Sequence, residues 1–184
     1  MNHYSSLLRH FADLRDGTHG QEPGAVERTR RGKERLFSDA VRLIDPYARL
    51  ALAEMNSELL LGTGEITATG VRRVMGGRGG GEIGGGGGSG GAVGGVEARW
   101  ELGWPEQRAA GLAPVLLHAV YGAGFHHPHL QGGTVGQWPL NVFTEEQAAA
   151  ELPVLRGIAA AELHNLVFMR DYRIVPGVVG EGVG

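Results

Sequence analysis

The chain has no cysteine among its 184 residues. That excludes disulfides, thiolate nucleophiles, iron–sulfur ligation and Cys-type zinc sites, and it suits a reducing compartment such as the cytoplasm. Aromatic residues make up only 7%. No run approaches the ~20 apolar residues of a membrane span. Residues 1–14 carry Arg9, His10 and Asp13 where a signal peptide would be apolar. Positive charge is also scarce, with 17 Lys and Arg against 20 Asp and Glu and a net charge of -3. A general nucleic-acid binder needs a surplus of cations to neutralise phosphates, so nucleic acid is not an expected partner. The expectation is a cytoplasmic protein, soluble or held peripherally on the cytoplasmic membrane face. The hydrophobic share of 42% suffices for one ordinary domain or two small ones.

Glycine, by contrast, is abundant. Residues 76–95 are about two-thirds glycine, a composition that cannot bury enough apolar surface to become ordered. As a flexible coil of ~20 residues this tether would span roughly 25 Å. It divides the chain into a helical self-assembly region (1–75), the linker (76–95), an α+β docking domain (96–176) and a disordered tail (177–184). The alternative is an expanded hairpin loop between a strand at Ile66 and one at Val96, because long loops add little closure entropy.

In the N-terminal part, Leu7, Leu8, Phe11 and Leu14 recur at helical spacing. A helix this short must dock, either on its own protein or on a membrane surface with Arg9 and Arg15 at the headgroups. Arg28, Arg30, Arg31, Lys33 and Arg35 form a basic cluster that reads as a solvated helix start or as a contact with an anionic surface. Residues 27–61 give the strongest helical signal. One apolar seam contains Leu36 and Ala40, and its neighbour contains Phe37, Val41, Ile44, Ala48, Ala51 and Met55. A surface this broad calls for neighbours on more than one side. Copies of the same helix would provide them in a homo-oligomer, as would a C-terminal domain folded back over it. On the first reading, Val41→Asp disrupts assembly and leaves the isolated C-terminal domain folded. Asp45-Pro46 predicts a kink or two abutting helices, with Asp45 capping the second, and Gly62 and Gly64 end the helix. Residues 65–75 read as a strand.

In the C-terminal part, residues 96–102 and 114–121 read as strands and 122–138 as a loop. A helix starts at Thr144, with Gln147 at the capping-box position, and buries Leu152, Leu155, Ala159, Leu163, Leu166 and Val167. Pro153 predicts a kink or a late start. Residues 172–175 read as a last strand. The fold class is therefore α+β, a small antiparallel sheet crossed by one helix. Trp100, Trp104, Phe125 and Trp138 are candidates for the core or for partner docking. His126, His127 and His129 are weak metal-ligand candidates, the basis of an alternative reading as a small metal- or ligand-binding domain. Adjacent histidines diverge, however, and no carboxylate follows at a ligand spacing. No nucleophile elbow, phosphate loop or dinucleotide fingerprint occurs in a credible context, so an enzyme is not expected.

Several stretches carry a family likeness: Arg99-Trp-Glu-Leu-Gly-Trp-Pro-Glu-Gln-Arg108, Tyr121-Gly-Ala-Gly-Phe-His-His-Pro-His129, Leu163-His-Asn-Leu-Val-Phe168, Asp45-Pro-Tyr-Ala-Arg49, and Asn56 to Gly64. Together they resemble the small accessory (M) subunit encoded with Huc-type actinobacterial high-affinity uptake NiFe-hydrogenases. The resemblance covers most of the chain outside the glycine run, whose length departs from it. It implies a non-catalytic scaffold that self-associates through its helical region, as a tetramer. It also implies docking of a hydrogenase small or large subunit, association with the membrane, and menaquinone conducted through an apolar stalk.

Overall fold

The computed structural model describes residues 29–74, 94–122, 125 and 127–179, together with Leu8, Phe11, Ala12 and Arg15. Those four lie in helical conformation. Leu7, Leu14 and most of the glycine run fall outside the described residues.

Helix α1 runs from Arg30 to Leu59. Thr29 caps it, its hydroxyl accepting from the Gly32 amide at 3.0 Å. Pro46 lies inside the helix, which is continuous through it. The expected restart at Asp45 is therefore corrected. Proline has no N–H for the preceding turn, and the Asp45 carboxylate caps nothing. It accepts from the Trp100 indole at 2.7 Å and from Arg49 at 3.0 Å. Asn56 closes the last turn of the helix, its carbonyl accepting from the amides of Leu60 and Gly62. The Asn56 side-chain amide pairs with both backbone groups of Gly64, at 2.8 and 3.1 Å. A Cβ on Gly64 would stand 2.6 Å from Leu102 and 2.7 Å from Asn56, so only glycine lets the chain turn this closely into the sheet.

The sheet is an antiparallel meander of β1 (Glu65–Ala68), β2 (Arg72–Val74), β3 (Gly95–Gly103), β4 (Val115–Tyr121), β5 (His129–Gln131) and β6 (Gln137–Pro139), with a short helix α2 (Pro105–Ala109) between β3 and β4. β1 and β2 both pair with β3 and form one edge: Ala68 lies opposite Trp100 and Arg72 opposite Glu97. Three residues on the edge strand thus face two on β3. The extra residue is a β-bulge, with Gly70 at a φ of +61°. Trp100 pairs with Leu117 and Ala98 with Ala119 on β4. Period-two alternation places Val96, Ala98, Trp100, Leu102, Val115, Leu117, Ala119, Tyr121 and Leu130 in the core. Over this face lie α1 and α4 (Leu152–Met169), the latter preceded by α3 (Glu145–Ala150). Thr144 caps α3 as expected; Gln147 reaches back to the Phe143 amide. Pro153 falls in the first turn of α4, so the late start is the correct alternative.

Other expectations are overturned. Residues 122–138 contain β5 and part of β6, strands too short to show an alternation. Residues 172–174 form a 3-10 turn, not a strand, and lead into α5 (Pro176–Val179), which takes up the start of the expected tail; residues 180–184 lie outside the described residues. The division into two modules also fails. Ile66 pairs with Leu102 and Arg73 with Val96, so segments on both sides of the glycine run are neighbours in one sheet. Val74 pairs with Gly95, which makes the intervening run the connection of a hairpin. One core of buried apolar residues extends from Phe37 to Val175. Phe37, Ala40, Val41, Ile44, Ala48, Ala51 and Met55 are buried in it, and Leu36 is half-buried. The seam expected to line a tube between copies is therefore covered by the chain's own sheet and α4. Val41→Asp is accordingly expected to destabilise the whole chain by roughly 3 kcal/mol or more, by placing an unpaired carboxylate in the core. Residues 96–176 alone, lacking α1 and the edge strand, are expected not to fold. Urea denaturation followed by circular dichroism checks both; a stably folded 96–176 fragment would contradict the single core.

Candidate functional site

The outer face of the sheet carries the residues that alternate with the core. Glu97, Arg99, His118, Gln131 and Gln137 lie here, with Arg72 at the edge. Glu97 is 3% exposed and His118 8%, so this is a shielded carboxylate–imidazole pair, the residue types of acid–base chemistry. His118 Nε2 lies 2.9 Å from Glu97 Oε2, and Nδ1 lies 3.0 Å from Gln131 Nε2. Gln137 donates to Gln131 Oε1 at 3.1 Å, which leaves the Gln131 amide nitrogen to donate to Nδ1. The ring proton therefore sits on Nε2 and is donated to Glu97. Burial pulls the His118 pKa below its ordinary value, outweighing the opposite pull of Glu97, and the ring is neutral. Burial pushes Glu97 upward, but hydrogen bonds from Arg72 (2.8 Å) and Arg99 (3.3 Å) outweigh it and the net shift is downward. The carboxylate is thus ionised and satisfied. With both ring nitrogens engaged, His118 has no lone pair for a substrate proton or a metal. The network orders the sheet face.

A second buried carboxylate, Glu162 on α4, holds the turn between β5 and β6. It accepts from the Thr134 amide and hydroxyl, each at 2.6 Å. Gly132 passes so close that a Cβ would stand 2.4 Å from its oxygen. This group also has its partners in place.

The residues expected to act are distributed as follows. Trp100 and Trp104 are core residues, 1% and 0% exposed. Their indole N–H groups go to Asp45 and to the Ile174 carbonyl. Partner docking by these two is corrected: the rings are too large to leave outside this core, and each finds an acceptor within it. Trp138 is half-buried on β6 and Phe125 is exposed, set edge-on to His129 at 4.8 Å. His127 and His129 have ring centroids 4.2 Å apart. His126 lies outside the described residues. Among the described residues, no group of three metal-ligating side chains comes together. Leu36 borders a crevice with Lys33, Tyr121 and Leu140 of about 10 Å³, room for little more than one water.

The surface feature that stands out is apolar. Phe168 is 86% exposed and Met169 58%, at the last turn of α4. Tyr172, Val178 and Val179 follow, all about half exposed. α5 lies against the end of α1, where a Cβ on Gly177 would stand 2.8 Å from the Leu59 carbonyl. Leu59 and Leu61 are exposed there too. Leu61 has a φ of 52°, a left-handed conformation that is about 1–2 kcal/mol unfavourable for a residue with a Cβ. The sequence held a signal for this surface. Leu166-Val-Phe-Met169 is an unbroken apolar run in a helix, and successive helical residues cannot all face one core. No protein-family model, curated protein or solved structure matches the chain.

Where the chain passes from α3 to α4, Glu151 is a half-buried carboxyl that burial raises from 4.5 to about 7. A raised acid stabilises the fold fully below its unfolded pKa, and that contribution is lost as pH rises through about 7. Glu151→Gln is therefore expected to raise stability near pH 8 by roughly 2 kcal/mol and to change little near pH 4. Urea midpoints at the two pH values check the sign.

Proposed function

We propose that the chain is a non-catalytic assembly subunit that holds a partner protein on the apolar end formed by Leu59, Leu61, Phe168, Met169, Tyr172, Val178 and Val179. One observation carries the reading: large apolar side chains remain exposed on the end of α4, the 3-10 turn, α5 and the end of α1, elements that pack in series against one another. Contiguous apolar surface on a folded chain marks an interface more often than chance exposure. Phe, Met and Tyr are also the side chains that interface centres favour.

The family likeness supplies the identity of the partner, a subunit of a NiFe-hydrogenase. Self-association, implied by the same likeness, would fall to this end too, since the α1 seam is consumed inside the monomer. A menaquinone path would likewise be lined from this surface, at a membrane contact that needs no spanning helix. Among the described residues no helix is long and apolar enough to cross a membrane.

Leu61→Glu combined with Phe168→Glu is expected to fold, because both side chains project outward and such substitutions usually change stability by less than about 0.5 kcal/mol. The tagged wild-type chain should co-purify hydrogenase subunits from its native cells, and the double variant should lose them. Hydrogenase retained by the variant, or missing from the wild-type preparation, would refute the assignment.

A further inference from the structure

Four strands meet in one row of side chains on the outer face of the sheet. Arg99 on β3 lies opposite His118 on β4, His118 opposite Gln131 on β5, and Gln131 opposite Gln137 on β6. The row begins beneath the surface and ends on it: His118 is buried, Gln131 half-buried and Gln137 exposed. Its hydrogen bonds run one way. Gln137 donates to Gln131 at 3.1 Å, Gln131 to His118 Nδ1 at 3.0 Å, and His118 Nε2–H to Glu97 at 2.9 Å.

The carboxylate sets that direction. Glu97, held by Arg72 and Arg99, is ionised and can only accept. Nε2 must therefore carry a proton. In the neutral ring Nδ1 is bare, and the Gln131 amino group satisfies it. In the doubly protonated ring Nδ1 carries a proton and needs the Gln131 carbonyl in that place. Nδ1 thus opens to a proton only when Gln131 turns, and Gln131 can turn only with Gln137. Each charge state of the ring requires its own orientation of both amides.

The charges facing the ring come from the neighbouring strands. β2 contributes Arg72, and β3 contributes Glu97, Arg99 and, farther along, Glu101. On β5 the titratable neighbour is His129, opposite Val120; β6 brings no charge. Burial opposes a cation on the ring, Glu97 favours one, and Arg99 and Arg72 oppose it; the balance holds the pKa below its ordinary 6.5. The neutral ring stabilises the fold fully above that ordinary value, and the contribution is lost as pH falls toward the folded one.

We propose that His118, Gln131 and Gln137 form a pH-sensitive switch, in which a proton taken from solvent onto His118 Nδ1 turns both glutamine amides over and reverses the row. Near neutral pH Gln137 points its amino group inward and its carbonyl to solvent. In acid the carbonyl turns inward to accept from Gln131, and the amino group faces out. The charge of a buried ring is thereby reported at the surface, on the last strand in the sheet order.

The experiment is a side-chain NMR titration of the nitrogen-15-labelled full-length chain from about pH 7.5 to about pH 4.5. The His118 ring is expected in its Nε2–H form at the start. Its signals and the side-chain amide signals of Gln131 and Gln137 are expected to move together through one midpoint below 6.5. Gln131→Glu places a carboxylate acceptor at Nδ1 and is expected to raise the His118 midpoint by about one pH unit or more. Gln137→Ala, an exposed change that removes the end of the row, is expected to leave the Gln131 amide moving with the ring. An Nδ1–H ring at neutral pH, amides that stay still while the ring titrates, or unfolding by circular dichroism before the ring takes its proton would each overturn the proposal. So would an unchanged midpoint in Gln131→Glu.

Discussion

The hydrogen bond from the Trp100 indole to Asp45, at 2.7 Å, joins the middle of α1 to the middle of the central strand. Trp100 shares with Trp104 the place of largest side chain in the core and is 1% exposed. Its ring can enter only with a partner for its N–H. The helix supplies that partner next to Pro46, where its own hydrogen bonding is interrupted. This contact fixes the height of α1 along β3. From it follow the Asn56–Gly64 turn, the launch of β1, and the pairing of β1 and β2 with β3. The edge strand could not pair as it does if α1 were shifted by a turn.

The buried polar groups show the same economy. Glu97, His118, Gln131 and Gln137 form a chain in which each donor finds an acceptor. Glu162 Oε1 accepts from both the amide and the hydroxyl of Thr134. Residue types that suggest catalysis in a sequence are here committed to holding the sheet face and its turn. A half-satisfied network would be costly in so shielded a place, which explains why these side chains are not left open for chemistry.

Local signals in the sequence were legible where period and cap chemistry suffice. The alternation from Val96 to Leu102 and the Thr144 cap appear as read, and the α1 seam from Phe37 to Met55 is buried as its spacing requires, while the neighbouring seam is half-buried at Leu36 and exposed at Leu50. What covers those seams was not legible. The hydrophobic effect has no direction, so an apolar face reads the same whether a sister chain or the chain's own sheet lies over it. The strands at His129–Gln131 and Gln137–Pro139 are three residues each, below the length at which alternation can be seen. The pairing of Trp100 with Asp45 spans 55 residues and leaves no periodic trace. The apolar end was present in the run Leu166 to Met169 and was masked by the expectation that a helix's apolar residues face inward.

The closing pair of the β2–β3 hairpin, Val74 opposite Gly95, fixes the strand register before the glycine run begins. The register of this pair is carried by the strands on either side, so the number of residues between them enters through the entropy of closing the loop. Loop-closure entropy changes only slowly with such length. A sequence grafted between Val74 and Gly95 would therefore lengthen a loop whose ends the β2–β3 pairing already holds together.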